Sequence, residues 1–476
     1  MIFQIVDWNY FHEEDEDGLK RYKIRLFGRT KENKTIYVCV EDFNPYFYVE
    51  IDKTMRKDKI ISLMEEVKKK VYPKENVDGL LKYETEEHHN LYGFTNSGKF
   101  PFLKLTFYNY EAFRSYERVF NKPIRKRKYR LFESNIEPFL RCMHIRNLDA
   151  VGWVEIKDGE FENLEKITCC DINISCNYES LNRYEDRTIM PLVIASFDIE
   201  CVSEDGSFPQ PERDNDKIIQ IGTTFSKFGE NDCYYKHIVT LGKCTKLEDV
   251  DVECFQTEKE MLLAWTELLR KTNPDVITGY NIFGFDFEYM MKRAQKLGIE
   301  KKFSRLSRIN GEECKWQEKK LASSALGDNI LKYYDMTGRI IIDLMKVAQR
   351  DFKLASYKLD YVASSFIKEG IQKLELDKKS NKSIIHTKST YGVVVDQFIT
   401  IFYNDSITDN KHMDGKKFRI LELESNKLVV DGIIEDDIMS MGYKVFWCQA
   451  KDDISPQDIF EYQKKTPLTT NANIVV

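Results

Sequence analysis

Two carboxylates stand one residue apart at the close of an apolar run. Residues 191–200 are PLVIASFDIE, ending in Asp198 and Glu200. A run of this composition predicts a buried strand, and side chains alternate along a strand, so both acids point to one face while Ile199 packs on the other. Paired acids repel each other unless hard divalent cations bind them, and two such ions can catalyse in-line phosphoryl transfer. The alternative is that the pair lies on the solvated face of an edge strand.

A third acid follows another predicted strand. Residues 274–279 predict a short strand ended by glycine, and the polar residues Asn281 and Asp286 then open a helix. A lone acid on the first turn of a helix is usually only a partner of the helix dipole. Its combination with the two acids of the earlier strand indicates instead one shared site at a sheet.

Composition limits the class of protein. A chain of 476 residues predicts two or three domains, and 42% hydrophobic residues exclude a disordered chain. The net charge of -6 decides nothing about nucleic acid, because catalytic acids lower it. Eleven cysteines without C-x-x-C spacing argue against a zinc ribbon and favour free thiols in a reducing compartment. No signal peptide or membrane span is visible, so we expect a soluble intracellular protein.

The other elements are predicted from periodicity and turn residues. Residues 22–51 predict β-hairpins, with Asn44-Pro45 as the turn between the last two strands. Residues 125–128, RKRK, are either a phosphate contact or a solvated connector. The polar residues 177–187 predict a domain boundary. Beyond it, three strands in short succession predict a mostly antiparallel sheet, and the capping-box spacing of Thr257 and Glu260 predicts a helix start.

These patterns resemble the 3′-to-5′ exonuclease region of the B-family DNA polymerases, particularly the delta-like enzymes and those of large DNA viruses. The first exonuclease motif is similar to residues 197–200, FDIE, and the second to residues 279–286, GYNIFGFD. The combined pattern is far more specific than either motif alone. The likeness extends over nearly the whole chain to about residue 368, through residues 43–49, 132–135, 208–209, 338–343 and 353–363.

The resemblance implies a mixed α+β and α/β chain with four parts. Residues 1–187 would form the polymerase N-terminal domain, and residues 188–372 a ribonuclease-H-like 3′-5′ exonuclease domain. Residues 373–450 are a β-rich, barrel-like insertion of unknown role, and residues 451–476 return to the exonuclease domain before its third motif.

The same resemblance implies the site residues and the cofactor. The catalytic residues, which would also ligate two Mg²⁺ or Mn²⁺ ions, are Asp198, Glu200 and Asp286. The residues that would hold the frayed single-stranded 3′ end are Asn281, Phe285, Phe208 and Tyr280. Core packing is the alternative role for the aromatic residues.

The implied partners are DNA, as a single-stranded 3′ end and as primer–template, and the remainder of the polymerase if the enzyme is split. A sliding clamp is a further candidate, and no membrane partner is expected. The place of action would be the host nucleus or a cytoplasmic viral replication site.

The sequence departs from the family at its third motif, Tyr-x-x-x-Asp. No tyrosine after residue 390 has Asp four positions later, and no palm motif is present. We therefore expect the amino-terminal, proofreading part of a viral polymerase, from a split gene, an intervening element or a truncated record, with weak ion binding and little exonuclease activity. The alternatives are a free-standing exonuclease in which Asp458 replaces the missing acid, and a non-catalytic DNA-binding scaffold.

Overall fold

The computed structural model describes residues 1–90, 98–230, 232–323, 327–405, 408–435, 437–450 and 456–465. These residues form five sheets with helices packed on them. Residues 451–476 were predicted to return to the exonuclease domain, and of these, residues 451–455 and 466–476 lie outside the described residues. None of the described helices is long and apolar enough to cross a membrane. All eleven cysteines are free thiols.

The first region contains two sheets. The larger has, in spatial order, the strands Asn182–Tyr184, Trp153–Glu155, Ile2–Glu14, Lys20–Thr30, Thr35–Glu41, Ile172–Asn177 and Glu162–Asn163. The smaller has the strands Leu80–His89, Lys99–Phe107, Tyr46–Glu50 and Leu131–Phe132. The helical segments of this region are Lys57–Lys70, Lys74–Val77, Tyr110–Phe120, Pro138–Ile145 and Tyr178–Ser180. The apolar faces of the two longest helices complete the core of the smaller sheet.

The predicted hairpin around Asn44-Pro45 is wrong. Strand Tyr46–Glu50 pairs with Lys99–Phe107 in the smaller sheet and not with Thr35–Glu41. Asp42 has a φ of +64°, which turns the chain out of the larger sheet before the proline. The basic residues 125–128 form an exposed turn in which the guanidinium of Arg125 binds Glu66 and Ser62, as expected of a connector.

The sheet that carries the predicted acids has six strands. In spatial order they are Asp251–Phe255, Cys233–Leu241, Ile218–Lys227, Val193–Cys201, Val276–Gly279 and Ile340–Asp343. The three successive strands that suggested an antiparallel sheet do pair antiparallel, but the other three pairings are parallel, so the sheet as a whole is mixed. The crossover helix Glu258–Thr272 returns the chain to the same end of the sheet, which makes the next strand parallel.

We call Val193–Cys201 the central strand, because it has neighbours on both sides. This position excludes the edge-strand alternative for its two acids. Helices Glu258–Thr272 and Asp286–Lys296 pack on one face of the sheet around the fully buried Trp265. The predicted capping box is confirmed, with Thr257 and Glu260 bonding reciprocally. The segments that follow are Glu300–Phe303, the hairpin of Lys315–Ser323 with Gly327–Asp335, and helices Leu344–Asp351 and Leu359–Phe366.

The next strands close into a barrel, which we call the insertion barrel. In spatial order they are Phe398–Asn404, Lys417–Glu424, Lys427–Asp431, Lys382–Thr387, Lys368–Asp377 and Lys444–Ala450, and the last pairs back with the first. The short elements attached to it are Asp409–Lys411, His412–Gly415 and Asp437–Ser440. Ile399, Ile401 and Trp447 fill its interior. Helix Pro456–Lys465 then packs Ile459 and Phe460 against Ile219 of the six-stranded sheet.

The first region is joined to the six-stranded sheet at Gly338. The Asp7 carboxylate accepts a hydrogen bond from the Gly338 N–H at 2.9 Å. Gly338 has a φ of +85°, and a Cβ there would lie 2.8 Å from the ring of Phe27. Burial raises the pKa of Asp7 to about 6. The junction therefore holds an acid whose ionisation opposes folding.

Replacing Asp7 by asparagine should stabilise the protein at neutral pH. The carboxyl has a pKa of about 3.9 in an unfolded chain. Because the folded pKa is higher, the folded state binds more protons between the two values and stability falls as pH rises through that interval. We expect Asp7→Asn to raise the free energy of unfolding by about 1–3 kcal/mol near pH 8 and to change nothing near pH 3.5. Denaturant unfolding at both pH values measures this, and an equal difference at both would contradict it.

Candidate active site

Asp198 and Glu200 lie on one face of the central strand, as their spacing predicts. Both line an open pocket of about 470 Å³ on that face, whereas Ile199 between them is buried in the core. A volume of this size falls in the range of about 300–1,000 Å³ that small-molecule sites occupy. The half-exposed leucines 344 and 359 also line the pocket, so it has an apolar side as well as an acidic one.

Asp286 joins this pair from the first turn of the helix Asp286–Lys296. The backbone N–H of Ile199 lies 3.1 Å from Asp198 Oδ1 and 3.3 Å from Asp286 Oδ1, so the two carboxylates share one donor. Asp286 is only 2% exposed. Burial, together with the charge and hydrogen bond of Asp198, raises its pKa well above the ordinary value. Asp286 of the second predicted motif therefore lies beside Asp198 of the first.

The loop before Asp286 is held by a fourth acid, Asp343, which is buried as Asp286 is. Its Oδ1 accepts from the Asn281 N–H at 2.9 Å, and its Oδ2 from the Phe283 N–H at 3.0 Å. The same carboxylate caps the next helix through the Met345 N–H. A Cβ at Gly284 would stand 2.3 Å from Asn281 Oδ1, so a larger residue there would displace the Asn281 side chain.

Sequence reasoning assigned no role to Asp343. A signal was present, because this acid ends the apolar strand Ile340–Asp343 in the same way that Asp198 and Glu200 end theirs. The strand runs parallel to Val276–Gly279, so its carboxyl end meets the start of the loop. Asp343 is a positioning residue, since it acts on Asp286 through the loop.

Replacing Asp343 by alanine should loosen the loop and the acid beyond it. Three backbone N–H groups would lose their acceptor, which should lower the free energy of unfolding by about 1–3 kcal/mol. We also expect Mn²⁺ affinity to fall by about tenfold, as for other residues that orient metal ligands. Calorimetric titration measures this, and Asp343→Asn, which keeps an acceptor oxygen, should recover part of both losses. Unchanged Mn²⁺ affinity in Asp343→Ala would contradict the positioning role.

The residues predicted to hold the 3′ end fall in three places. Tyr280 lines the acidic pocket, and its hydroxyl donates to the Tyr357 carbonyl at 2.6 Å. Phe208 and Phe285 form an edge-to-face pair, 5.4 Å between ring centroids. Phe208 is 68% exposed, so core packing is excluded for it, while Phe285 packs partly against the core. Asn281 has a φ of +63° and its side chain lies over Gly284.

The loop that carries Phe208 is fixed by buried polar residues that the sequence did not single out. Asp216 accepts from the N–H groups of residues 204 and 210, at 2.9 and 2.8 Å. Arg293 forms a buried ion pair with Glu258 and donates to the carbonyl of Pro211 at 3.0 Å. These contacts attach the loop to both helices of the sheet. Asp458, the proposed replacement acid, is exposed on helix Pro456–Lys465.

Sequence comparison identifies the domain that carries these residues. Residues 129–362 match the family described as DNA polymerase family B, exonuclease domain. This stretch is a B-family DNA polymerase exonuclease-domain region. The exonuclease domain so defined contains all three acids of the site, its helix Asp286–Lys296 and the positioning residue Asp343.

Individual relatives extend the likeness beyond the exonuclease domain. The chain is 32% identical to a DNA polymerase of Acanthamoeba polyphaga mimivirus, over 89% of this chain and 30% of the relative. It is 30% identical to a DNA polymerase of Pyramimonas orientalis virus, over 98% and 48%. For the DNA polymerase delta catalytic subunit of Glycine max the identity is 31%, over 73% and 33%. The chain thus spans about a third to a half of these relatives.

A solved structure has the same fold. The family B DNA polymerase from the archaeon Pyrobaculum calidifontis aligns with a TM-score of 0.53 and 21% identity, over 77% of this chain and 39% of that one. About three quarters of this chain therefore has a fold that a family B polymerase is known to adopt.

Proposed function

We propose that this chain is the amino-terminal and proofreading part of a viral DNA-directed DNA polymerase. In this proposal its ribonuclease-H-like domain hydrolyses mispaired single-stranded 3′ ends at Asp198, Glu200 and Asp286. One observation supports the proposal most directly. Asp198 and Asp286 both accept a hydrogen bond from the backbone N–H of Ile199, at 3.1 and 3.3 Å. Ile199, which donates this N–H, is 87 residues from Asp286 in the chain, so the contact is a product of the fold.

The donor chemistry of the three acids suits divalent cations, and two of them, Asp198 and Asp286, meet at one backbone N–H. Carboxylate oxygens are the ligands that Mg²⁺ and Mn²⁺ prefer. Burying Asp286 against Asp198 raises its pKa, which marks a site where a cation would stabilise the ionised form. When bound, two ions would supply Lewis acidity that activates the attacking water and stabilises charge on the leaving 3′ oxygen.

The chain's own groups would bind and orient the strand. Tyr280, whose ring is fixed by the bond of its hydroxyl to Tyr357, would form a wall for the terminal nucleotide in the acidic pocket. Exposed Phe208, against Phe285, would stack on an unpaired base, which tolerates any sequence. Paired bases already stack on each other, so these contacts favour a frayed end. Asn281 would act within its loop, because its side chain lies over Gly284.

Metal titration tests this proposal, because cation binding by the three acids can be measured without a DNA substrate. Calorimetry with Mn²⁺ should detect binding in the wild-type chain and lose it in Asp198→Ala. Asp158→Ala is the matched control, since its side chain is 99% exposed and distant in the fold, at the first sheet. Mn²⁺ binding that survives Asp198→Ala, or no binding in the wild type, would contradict the catalytic assignment and favour a scaffold.

A further inference from the structure

A second and larger groove lies beside the exonuclease domain, between helix Leu359–Phe366 and the outer face of the insertion barrel. Its volume is about 860 Å³. The helix shares one end with the active site, because Leu359 lines the acidic pocket while the next two residues, Asp360 and Tyr361, line the groove. Neither the family match, which ends at residue 362, nor the proposed catalysis accounts for the barrel side of this groove.

The barrel side presents two stacked aromatic rings. Strand alternation buries Ile401 and Trp447 inside the barrel and turns Phe402 and Phe446 outward. These two residues are paired across the strands, with ring centroids 5.8 Å apart and planes 8° from parallel. Both rings line the groove and are partly exposed. A folded protein gains little by leaving such a pair beside water, and flat aromatic faces are what unpaired bases stack on.

Basic side chains surround the rings. The lysines of the groove are Lys358, Lys368, Lys411 and Lys417, and its acids are Asp360 and Asp409. Lys368 Nζ lies 4.8 Å from the centroid of the Phe446 ring and 3.7 Å from Asp409. The lining therefore carries a net charge of +2, from four cations and two anions, in a chain of net charge -6. This local excess of positive charge suits a ligand that carries phosphates.

We propose that this groove binds single-stranded DNA that continues from the 3′ end in the acidic pocket. The inference rests on the proposed function, because it takes the same strand as its ligand. Lys368, Lys411 and Lys417 would contact phosphates, and Phe402 and Phe446 would stack on bases. The insertion barrel then extends the track of the exonuclease domain along the unpaired strand.

The test is fluorescence anisotropy with a labelled oligo-dT of about twenty nucleotides, in EDTA so that no metal-dependent cleavage occurs. Lys368→Glu with Lys411→Glu should raise Kd by about tenfold or more. Losing two phosphate contacts should also lower the slope of log K against log[salt] by about 1.4, since each contact on a single strand contributes about 0.7. Phe402→Leu should raise Kd by about fivefold or more, which is equivalent to losing the stacking of one base, with little change in that slope.

Lys378→Glu with Lys379→Glu is the matched control, because it changes the net charge by the same amount in an exposed turn of the same barrel. Equal losses in both double variants, or an unchanged Kd and slope in the groove variant, would overturn the proposal. Tighter binding of oligo-U than of oligo-dT would overturn DNA as the ligand. The Mn²⁺ titration needs no DNA, so failure of the groove and failure of the active site are separate results.

Discussion

Replacing Asp286 by asparagine should abolish metal binding and at the same time stabilise the metal-free protein. Asp286 is buried beside Asp198, and burial with that neighbouring charge raises its pKa well above the ordinary value. Asparagine keeps an oxygen to accept from Ile199 N–H and can donate to Asp198, but it carries no charge. The mutation therefore removes a charge repulsion that a bound cation would offset.

Metal affinity and stability should change in opposite directions. Mn²⁺ affinity should fall by a hundredfold or more, because even residues that only orient ligands cost about 10–100-fold. The free energy of unfolding in EDTA should rise by about 1 kcal/mol near pH 8. Because the folded pKa is raised, this gain should vanish below about pH 4, where the wild-type carboxyl is protonated in both states. Calorimetry and denaturant unfolding measure the two effects, and a loss of stability in EDTA at pH 8 would contradict the electrostatic argument.

Replacing Asp275 by alanine should produce a large loss of stability. Its carboxylate is fully buried and accepts from Arg29 Nε at 2.5 Å, Arg308 Nη2 at 2.7 Å and the Val193 N–H at 2.8 Å. Burial opposes ionisation, but the charges of Arg308 and Arg29 outweigh it and lower the pKa of Asp275. Asp275 thus joins the first region to the central strand. Its removal would leave the buried guanidinium groups of Arg29 and Arg308 without this counter-charge.

We expect Asp275→Ala to lower the free energy of unfolding by about 3–5 kcal/mol, the cost of breaking a buried ion pair from one side. The matched control is Glu375→Ala, which removes an exposed pair with Lys373 and should change stability by less than about 1 kcal/mol. Because the folded pKa is lowered, the contribution of Asp275 is present above about pH 4 and is lost as pH falls through the folded value. The wild-type and Asp275→Ala unfolding curves should therefore converge in acid, and equal losses in the two variants would contradict the argument.

The local parts of this site could be predicted from the sequence. Alternation placed Asp198 and Glu200 on one face, helix-start signals placed Asp286 on a first turn, and the capping box of Thr257 was found from its spacing. Each depends on residues within a few positions of each other, where strand and helix periodicity decide the outcome.

The parts that failed depend on partners far apart in the chain. Arg29 and Asp275 are 246 residues apart, and no local pattern connects them. The parallel pairings of the six-stranded sheet depend on where a crossover helix returns the chain, and strand Tyr46–Glu50 was drawn into another sheet by its partner Lys99–Phe107. Asp343 was overlooked because an acid at the end of a strand has no visible function until the loop that it holds is seen.

The most direct test of the central claim is a crystal structure of this chain grown with MnCl₂, with anomalous data collected at the manganese edge. The claim predicts anomalous density among Asp198, Glu200 and Asp286, with carboxylate oxygens about 2–2.5 Å from the ion. Density elsewhere only, such as between His412, Glu435 and Asp437, whose ligand atoms lie within 4.8 Å of one another, would contradict it. A structure in which Asp198, Glu200 and Asp286 do not come together and no ion is bound would also contradict the claim.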